Sequence, residues 1–294
     1  MRAVAAIEAL MLLLVGLAAA DLYAHKRTDM VAGRNIRGYR GAVAHRKDAN
    51  EIRFVVVGGT RAFAPGMPAT WTPATVVQQQ VMLAIDRPGR TVRHFIGVDL
   101  AQPSALPASY VPTIDHFAYL RPDVICVYDD LGVGGGPLLD ESSGLYAMTG
   151  YLPSLPLVLS EKHNGLLRLA GAALGRVDRA FALAPRPRDT DPRSYAADMA
   201  YAIQVAALNA RAGVVVALSP AETEMQSRNR AELLHEFARR SASPKIRLVD
   251  LSGVRELMDP VNRLDGGWNY GGDAVAAASR AIAPAVLELI KGQA

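Results

Sequence analysis

The chain has 294 residues, half of them hydrophobic and a fifth charged, with 25 glycines and 18 prolines. That length holds one large domain or two small ones, and the profile excludes a disordered chain while supplying enough apolar mass for an ordinary core. A net charge of only +4 and 6% aromatic residues, with no basic stripe interleaved with aromatics, argue against nucleic acid as a partner.

The N-terminus comes first in the chain and is the most apolar part of it. Residues 3–20 are apolar apart from Glu8, and 9–20 carry no charge at all. The uncharged stretch has the length of a signal-peptide core, and Ala18-Ala19-Ala20 before Asp21 would serve as a small-residue cleavage site. If Glu8 lies near an interface, 3–24 is long enough to span a bilayer. The reading adopted is an uncleaved anchor over 1–27, which makes a membrane the first expected partner. Lys26, Arg27, Arg34, Arg37, Arg40, Arg46 and Lys47 come after it, against Asp29 and Asp48. By the positive-inside rule these put the following domain in the cytoplasm, whereas the export-like end of the apolar segment points to the periplasmic side. Residues 28–51 read as a basic linker, either simply solvated or in contact with anionic lipid or an acidic partner.

From residue 52 strands alternate with helices. Strands are expected at 52–58, 92–97, 124–128, 213–219 and 246–251, as short β-rich runs bounded by Gly, Pro or Asp. Helices are expected at 72–85, 109–120, 193–212, 222–240 and 273–291, the last kinked or divided at Pro284. The alternation predicts an α/β fold: a doubly wound, mainly parallel five-stranded sheet, flavodoxin-like, in three layers. Residues 132–187 interrupt it and read as an insertion within one domain, 52–294. The single cysteine, Cys126, lies in the apolar run Val124-Ile125-Cys126-Val127 and reads as a small buried thiol. It excludes an intrachain disulfide and a Cys-x-x-Cys metal site.

In open α/β sheets ligands bind beyond the carboxyl ends of the strands. Three glycine-rich turns fall at such places: Gly58-Gly59-Thr60, 129–136 and 265–272. Asp129, Asp130 and Asp265 either converge on a divalent cation or, as the blander reading, end strands and accept loop N–H groups. No metal and no cofactor is expected: the 132–136 glycines lack the Gly-Lys-Ser/Thr ending of a phosphate cradle, and Gly58-Gly59-Thr60 is no dinucleotide fingerprint. Trp71, Trp268, Asn269 and Tyr270 form either an aromatic wall for a sugar or partner, or packing beneath the last helix.

Four blocks carry a resemblance. Ile52-Arg-Phe-Val-Val-Val-Gly-Gly-Thr60-Arg-Ala-Phe-Ala-Pro-Gly66 resembles the first block of membrane-anchored SGNH (GDSL-type) hydrolases, in which a strand ends in Gly-Asp-Ser or Gly-Gly-Ser. Phe95-Ile96-Gly97-Val98 resembles the second, whose glycine supplies an oxyanion-hole N–H. Arg121-Pro-Asp-Val-Ile-Cys-Val-Tyr128-Asp129-Asp130-Leu131-Gly132 resembles the third, which runs into Gly-x-Asn-Asp. Asp265-Gly-Gly-Trp268-Asn-Tyr-Gly-Gly272 resembles the last, Asp-x-x-His with a helix-opening glycine. The similarity spans 52–291.

The resemblance places the family nucleophile at Thr60, its oxyanion Asn at Gly132 and its histidine at Trp268, or at Gly267 with a one-residue slip. Gly97 and Asp265 alone match outright, and Gly59, Asp129 and Asp130 complete the implied cleft. A hydroxyl nucleophile needs a base within hydrogen-bond reach and a group to orient that base; neither glycine nor indole takes a proton. Of the six histidines, His163 in the insertion is the stand-in to test. Three readings are open. The first is a catalytically inactive SGNH-like module tethered to a membrane, acting by binding or scaffolding. The second is a divergent esterase or deacylase with Thr60 as nucleophile and Asp265 as orienting acid, its substrates the acyl esters of lipids or glycans that the resemblance implies. The third is a structural subunit of a larger membrane complex.

Overall fold

The computed structural model describes residues 2–28, 34–64, 67–85, 94–102, 105–132, 191–240, 243–264 and 269–291. Helix α1 (Arg2–Thr28) comes first. Its stretch Val4–Ala24 is 21 residues long with mean hydropathy 2.1, and Leu10, Leu12, Leu14 and Val15 stand exposed along it. By length and composition it can cross a membrane, and a signal sequence has the same features.

The sheet has five parallel strands in the order β2-β1-β3-β4-β5: β1 (Glu51–Gly58), β2 (His94–Asp99), β3 (Val124–Asp129), β4 (Gly213–Leu218) and β5 (Ile246–Asp250). This is the doubly wound arrangement expected, and its order reverses between β1 and β3, where such sheets place their ligands. The central strands are buried on both faces because their side chains alternate between two cores. Phe54, Val56, Cys126, Tyr128, Val215 and Ala217 face one core, shared with α3 (Pro73–Ile85) and α8 (Gly272–Lys291). Val55, Val57, Ile125, Val127, Val214 and Val216 face the other, covered by α4 (Pro107–His116), α5 (Pro192–Asn209) and α6 (Glu224–Arg240). Two single-turn helices, α2 (Thr60–Phe63) and α7 (Arg255–Met258), and a short antiparallel pair, β6 (Arg263–Leu264) with β7 (Asn269–Tyr270), join them, beside short 3-10 turns in the connections.

Two expectations change. Pro284 does not divide the last helix, which runs as one element from Gly272 to Lys291. Within the basic stretch, residues 34–40 pack on the domain rather than standing in solvent, since Arg34, Asn35, Tyr39 and Arg40 are buried. Arg40 bridges to Asp99 at the end of β2, its N–H donating to the Asp99 carbonyl at 3.0 Å. Its guanidinium donates to the carbonyls of Phe63, Ala64 and Met67, and so caps the carboxyl end of α2. Cys126 is buried, and burial pushes its thiol up.

Candidate functional site

Two turns meet at the switch point. Strand β1 ends at Gly58, and Gly59 precedes α2, so Thr60 opens that helix as a buried residue. Strand β3 ends at Asp129; Asp130, Leu131 and Gly132 then turn the chain. Leu131 and Gly132 both sit in the left-handed region, at φ 55° and 88°. For a buried leucine this is a strained conformation of order 1–2 kcal/mol. The neighbours hold it there: Leu131 N–H donates to Asp129 Oδ1 at 2.9 Å, and Asn229 Nδ2 donates to the Leu131 carbonyl at 3.1 Å.

Asp130 closes the first turn. Its Oδ2 accepts the Arg61 backbone N–H at 2.9 Å, and a Cβ placed on Gly59 would stand 2.5 Å from that same oxygen. Only a residue without a side chain lets the carboxylate approach so closely. Acyl-transfer sites stabilise a developing oxyanion with backbone N–H groups at such a helix start. Here the N–H group beside Thr60 is already taken by an acidic side chain of the same chain.

Arg61 completes the closure. Its guanidinium is fully buried, donates to the Pro220 carbonyl at 3.3 Å and pairs with Glu222. Arg263, on β6, reaches Glu222 at 2.8 Å. Both guanidinium carbons lie over the ring of Tyr270, Arg61 at 4.9 Å and Arg263 at 4.7 Å. The stem of the β6–β7 pair is therefore clamped to the residue after Thr60. Tyr270 packs inside this clamp rather than lining a wall, and Trp71 lies across Gly272 at the start of α8.

Three carboxylates are buried along this edge. Burial pushes Asp99 up to about 7 against the charge of Arg40, Asp129 up to about 6 against the hydrogen bond from Tyr195, and Asp130 up to about 7 against Arg61. Asp99 Oδ2, Asp129 Oδ2 and Asp130 Oδ1 have no hydrogen-bond partner among the described residues. The tyrosines Tyr110 and Tyr195, which close the other side of Asp129, are raised by the same burial.

Of the residues marked by the resemblance, Gly59, Thr60, Asp129, Asp130 and Gly132 come together at this edge. Gly97 does not. It pairs in register with Phe54, four positions short of Gly58, which is about 13 Å along a strand. Its N–H donates to Gln78 Oε1 at 2.8 Å, and a Cβ there would overlap the Ala74 carbonyl. Gly97 is the close-packing point between β2 and α3, and its N–H is not offered to a ligand. Asp265, Gly267, Trp268 and His163 lie outside the described residues. Of the histidines whose side chains are described, His94 and His45 lie at the amino end of the sheet, the end away from Thr60. His116 meets the ring of Phe117 edge to face and His235 lies on α6.

Sequence reasoning did not find Arg61, Glu222, Arg263 or Tyr195. An arginine next to the nucleophile position was the one available signal, since a charged residue in an otherwise apolar turn needs a buried partner.

Fold and site together define a doubly wound α/β domain of the three-layer kind, in which the turns after β1 and β3 meet at the switch point of the sheet. No family model matches the chain, and no curated protein matches it in sequence. Its fold is similar to that of a family two carbohydrate esterase from Cellvibrio japonicus, at 10% identity and TM-score 0.47, over 86% of this chain and 64% of that one. TesA is similar at 13% identity and TM-score 0.48, over 81% of this chain and 99% of that one. A family 3 carbohydrate esterase from Clostridium thermocellum is similar at 11% identity and TM-score 0.46, over 83% and 99%. The sheet order and the two cores establish the fold class; no chemistry is carried over from these structures.

Proposed function

We infer that the chain is a membrane-tethered, SGNH-like module that does not hydrolyse esters and acts by binding or scaffolding. The observation that carries this reading is the Asp130 carboxylate at the start of α2, accepting the Arg61 N–H where an oxyanion would have to form. A carboxyl oxygen that already accepts this N–H occupies a donor that an acyl-transfer transition state would need, whether the acid is charged or neutral. Loss of a single oxyanion donor costs about a hundred- to a thousand-fold in rate. The position that the resemblance gives to the base is an indole, and no imidazole with a described side chain lies at the carboxyl edge of the sheet. The anchor reading rests on Val4–Ala24.

The test is hydrolysis of a short-chain aryl ester by the detergent-extracted full chain. The expected result is a rate no greater than that of the Thr60→Ala variant. Hydrolysis that disappears on Thr60→Ala would overturn the reading in favour of a divergent esterase on lipid or glycan acyl esters. The same extract, sized, distinguishes a self-sufficient module from a subunit that always migrates with fixed partners.

A further inference from the structure

At the opposite, amino-terminal end of the sheet, three potential ligand atoms lie together on one short segment: His45 Nε2, an Asp48 carboxylate oxygen and a Glu51 carboxylate oxygen, all within 4.8 Å of one another. The geometry points to a second site, unrelated to the Thr60 turn, in which His45, Asp48 and Glu51 hold a borderline divalent cation of the zinc type. This goes beyond the proposed function and does not depend on it.

The separations fit. His45 Nε2 stands 3.0 Å from Glu51 Oε2 and 3.7 Å from Asp48 Oδ2. Two ligands each ~2.0–2.1 Å from a tetrahedral zinc stand ~3.3 Å apart; both separations from the imidazole bracket that value, and the two carboxylate oxygens lie within 4.8 Å of each other. One imidazole with two carboxylates is a donor set for zinc and its neighbours in the transition series rather than for calcium or magnesium, which take oxygen ligands. Three protein ligands leave a fourth position for water.

The ligands are held from behind by a single buried group. Arg53 Nε donates to Glu51 Oε1 at 2.7 Å, while Oε2 faces His45 and takes a long hydrogen bond from the Asp48 N–H at 3.4 Å. The Arg53 Nη2 donates to the His45 backbone carbonyl at 3.0 Å and its Nη1 to the Leu120 carbonyl at 2.8 Å. The Glu51 N–H donates to the Asp48 carbonyl at 3.2 Å, closing the turn that joins the two carboxylates. Upstream, the buried Tyr39 accepts the Ala44 N–H at 2.7 Å. Outer-shell hydrogen bonds of this kind fix ligand orientation and are worth ~10- to 100-fold in metal affinity. Glu51 is 1% exposed, while His45 and Asp48 are 57% and 72% exposed, so an ion has open access from solvent. Bound there, it would fasten the segment leading from α1 to the first residue of β1.

The experiment uses the full chain in detergent, free of any affinity tag and stripped with chelator, titrated with Zn2+ alone by calorimetry. One ion per chain is expected, with a rise in Tm of roughly a few degrees at saturating zinc that chelator reverses. His45→Ala and Asp48→Asn alter exposed side chains and should leave the apo protein folded. Each should lower zinc affinity by at least ~10- to 100-fold and remove the Tm rise. Replacing zinc by Co2+ should give the visible spectrum of a four-coordinate ion in the parent and not in His45→Ala. Absence of stoichiometric binding would leave the trio as an ion pair only and overturn the proposal. So would binding that survives both substitutions.

Discussion

Gly59 and Asp130 are spatially one unit. A methyl group on Gly59 would meet Asp130 Oδ2 at 2.5 Å and the Ala105 carbonyl at 2.9 Å. The carboxylate can swing aside; the backbone carbonyl cannot without moving the chain after β2. Gly59→Ala is therefore expected to destabilise by about 1–3 kcal/mol, the usual cost of overpacking, read as a lower denaturant midpoint at unchanged slope. Arg61 is the second residue on which the turn depends. Removing one partner of a buried ion pair costs about 3–5 kcal/mol. Because Glu222 is 24% exposed and keeps Arg263, Arg61→Met belongs at the lower end of that range. In Arg61→Met/Glu222→Gln the two losses should fall well short of adding. Full additivity would mean that the pair is not what holds α2 to the loop after β4.

At the scale of elements, the basic stretch before β1 behaves as part of the domain. Arg40 ties it to β2 through Asp99 and to the end of α2 through three carbonyls, with its guanidinium 4.5 Å from the ring of Phe63. Arg40→Ala removes the side-chain donor from those carbonyls, of which Ala64 keeps the Met67 N–H, and opens the segment. It should bring protease cleavage within residues 34–50 at concentrations that leave the parent intact. A parent and variant cut equally fast would show that Tyr39, Lys47 and Arg53 hold the stretch without Arg40. The elements differ in how far the sequence revealed them. β1, β3 and β4 are legible because each carries an apolar run of four or more residues (54–57 in β1) ended by Gly, Asp or Ser, as strands buried on both faces do. The burial of residues 34–40 is not, since arginines read as solvated until their carbonyl partners are known. Gly97 was misplaced for a related reason. A local block shows that a glycine is needed, but the parallel register decides whether that need is a ligand's approach or, as here, the approach of Ala74. The two turns of the candidate site were visible as glycine-rich strand ends, while the carboxylate that closes them became meaningful only once Asp130 lay over Gly59.

Across the whole molecule, three buried carboxylates gather at the carboxyl edge of the sheet, and their titration is a property of the fold. Burial raises Asp99 and Asp130 to about 7 and Asp129 to about 6, from an ordinary value of 3.8. A group whose pKa is higher in the folded than in the unfolded chain favours folding when protonated, and that stabilisation is lost as the pH climbs through the folded value. Between about pH 4 and 7 the folded chain therefore holds more protons than the unfolded one, and its stability falls as the pH rises. The opposite trend, from carboxylates held low by their partners, belongs to Asp191 and Asp250, and it acts at or below the ordinary carboxylate value, outside this window. The Tm of the full chain in detergent should accordingly drop on going from about pH 5 to about pH 8. Asp130→Asn supplies a permanently neutral group of the same shape whose carbonyl still accepts the Arg61 N–H, so it should flatten that slope. A Tm that rises across the interval, or a slope untouched by Asp130→Asn, would mean that water or cations reach the edge and keep these acids charged.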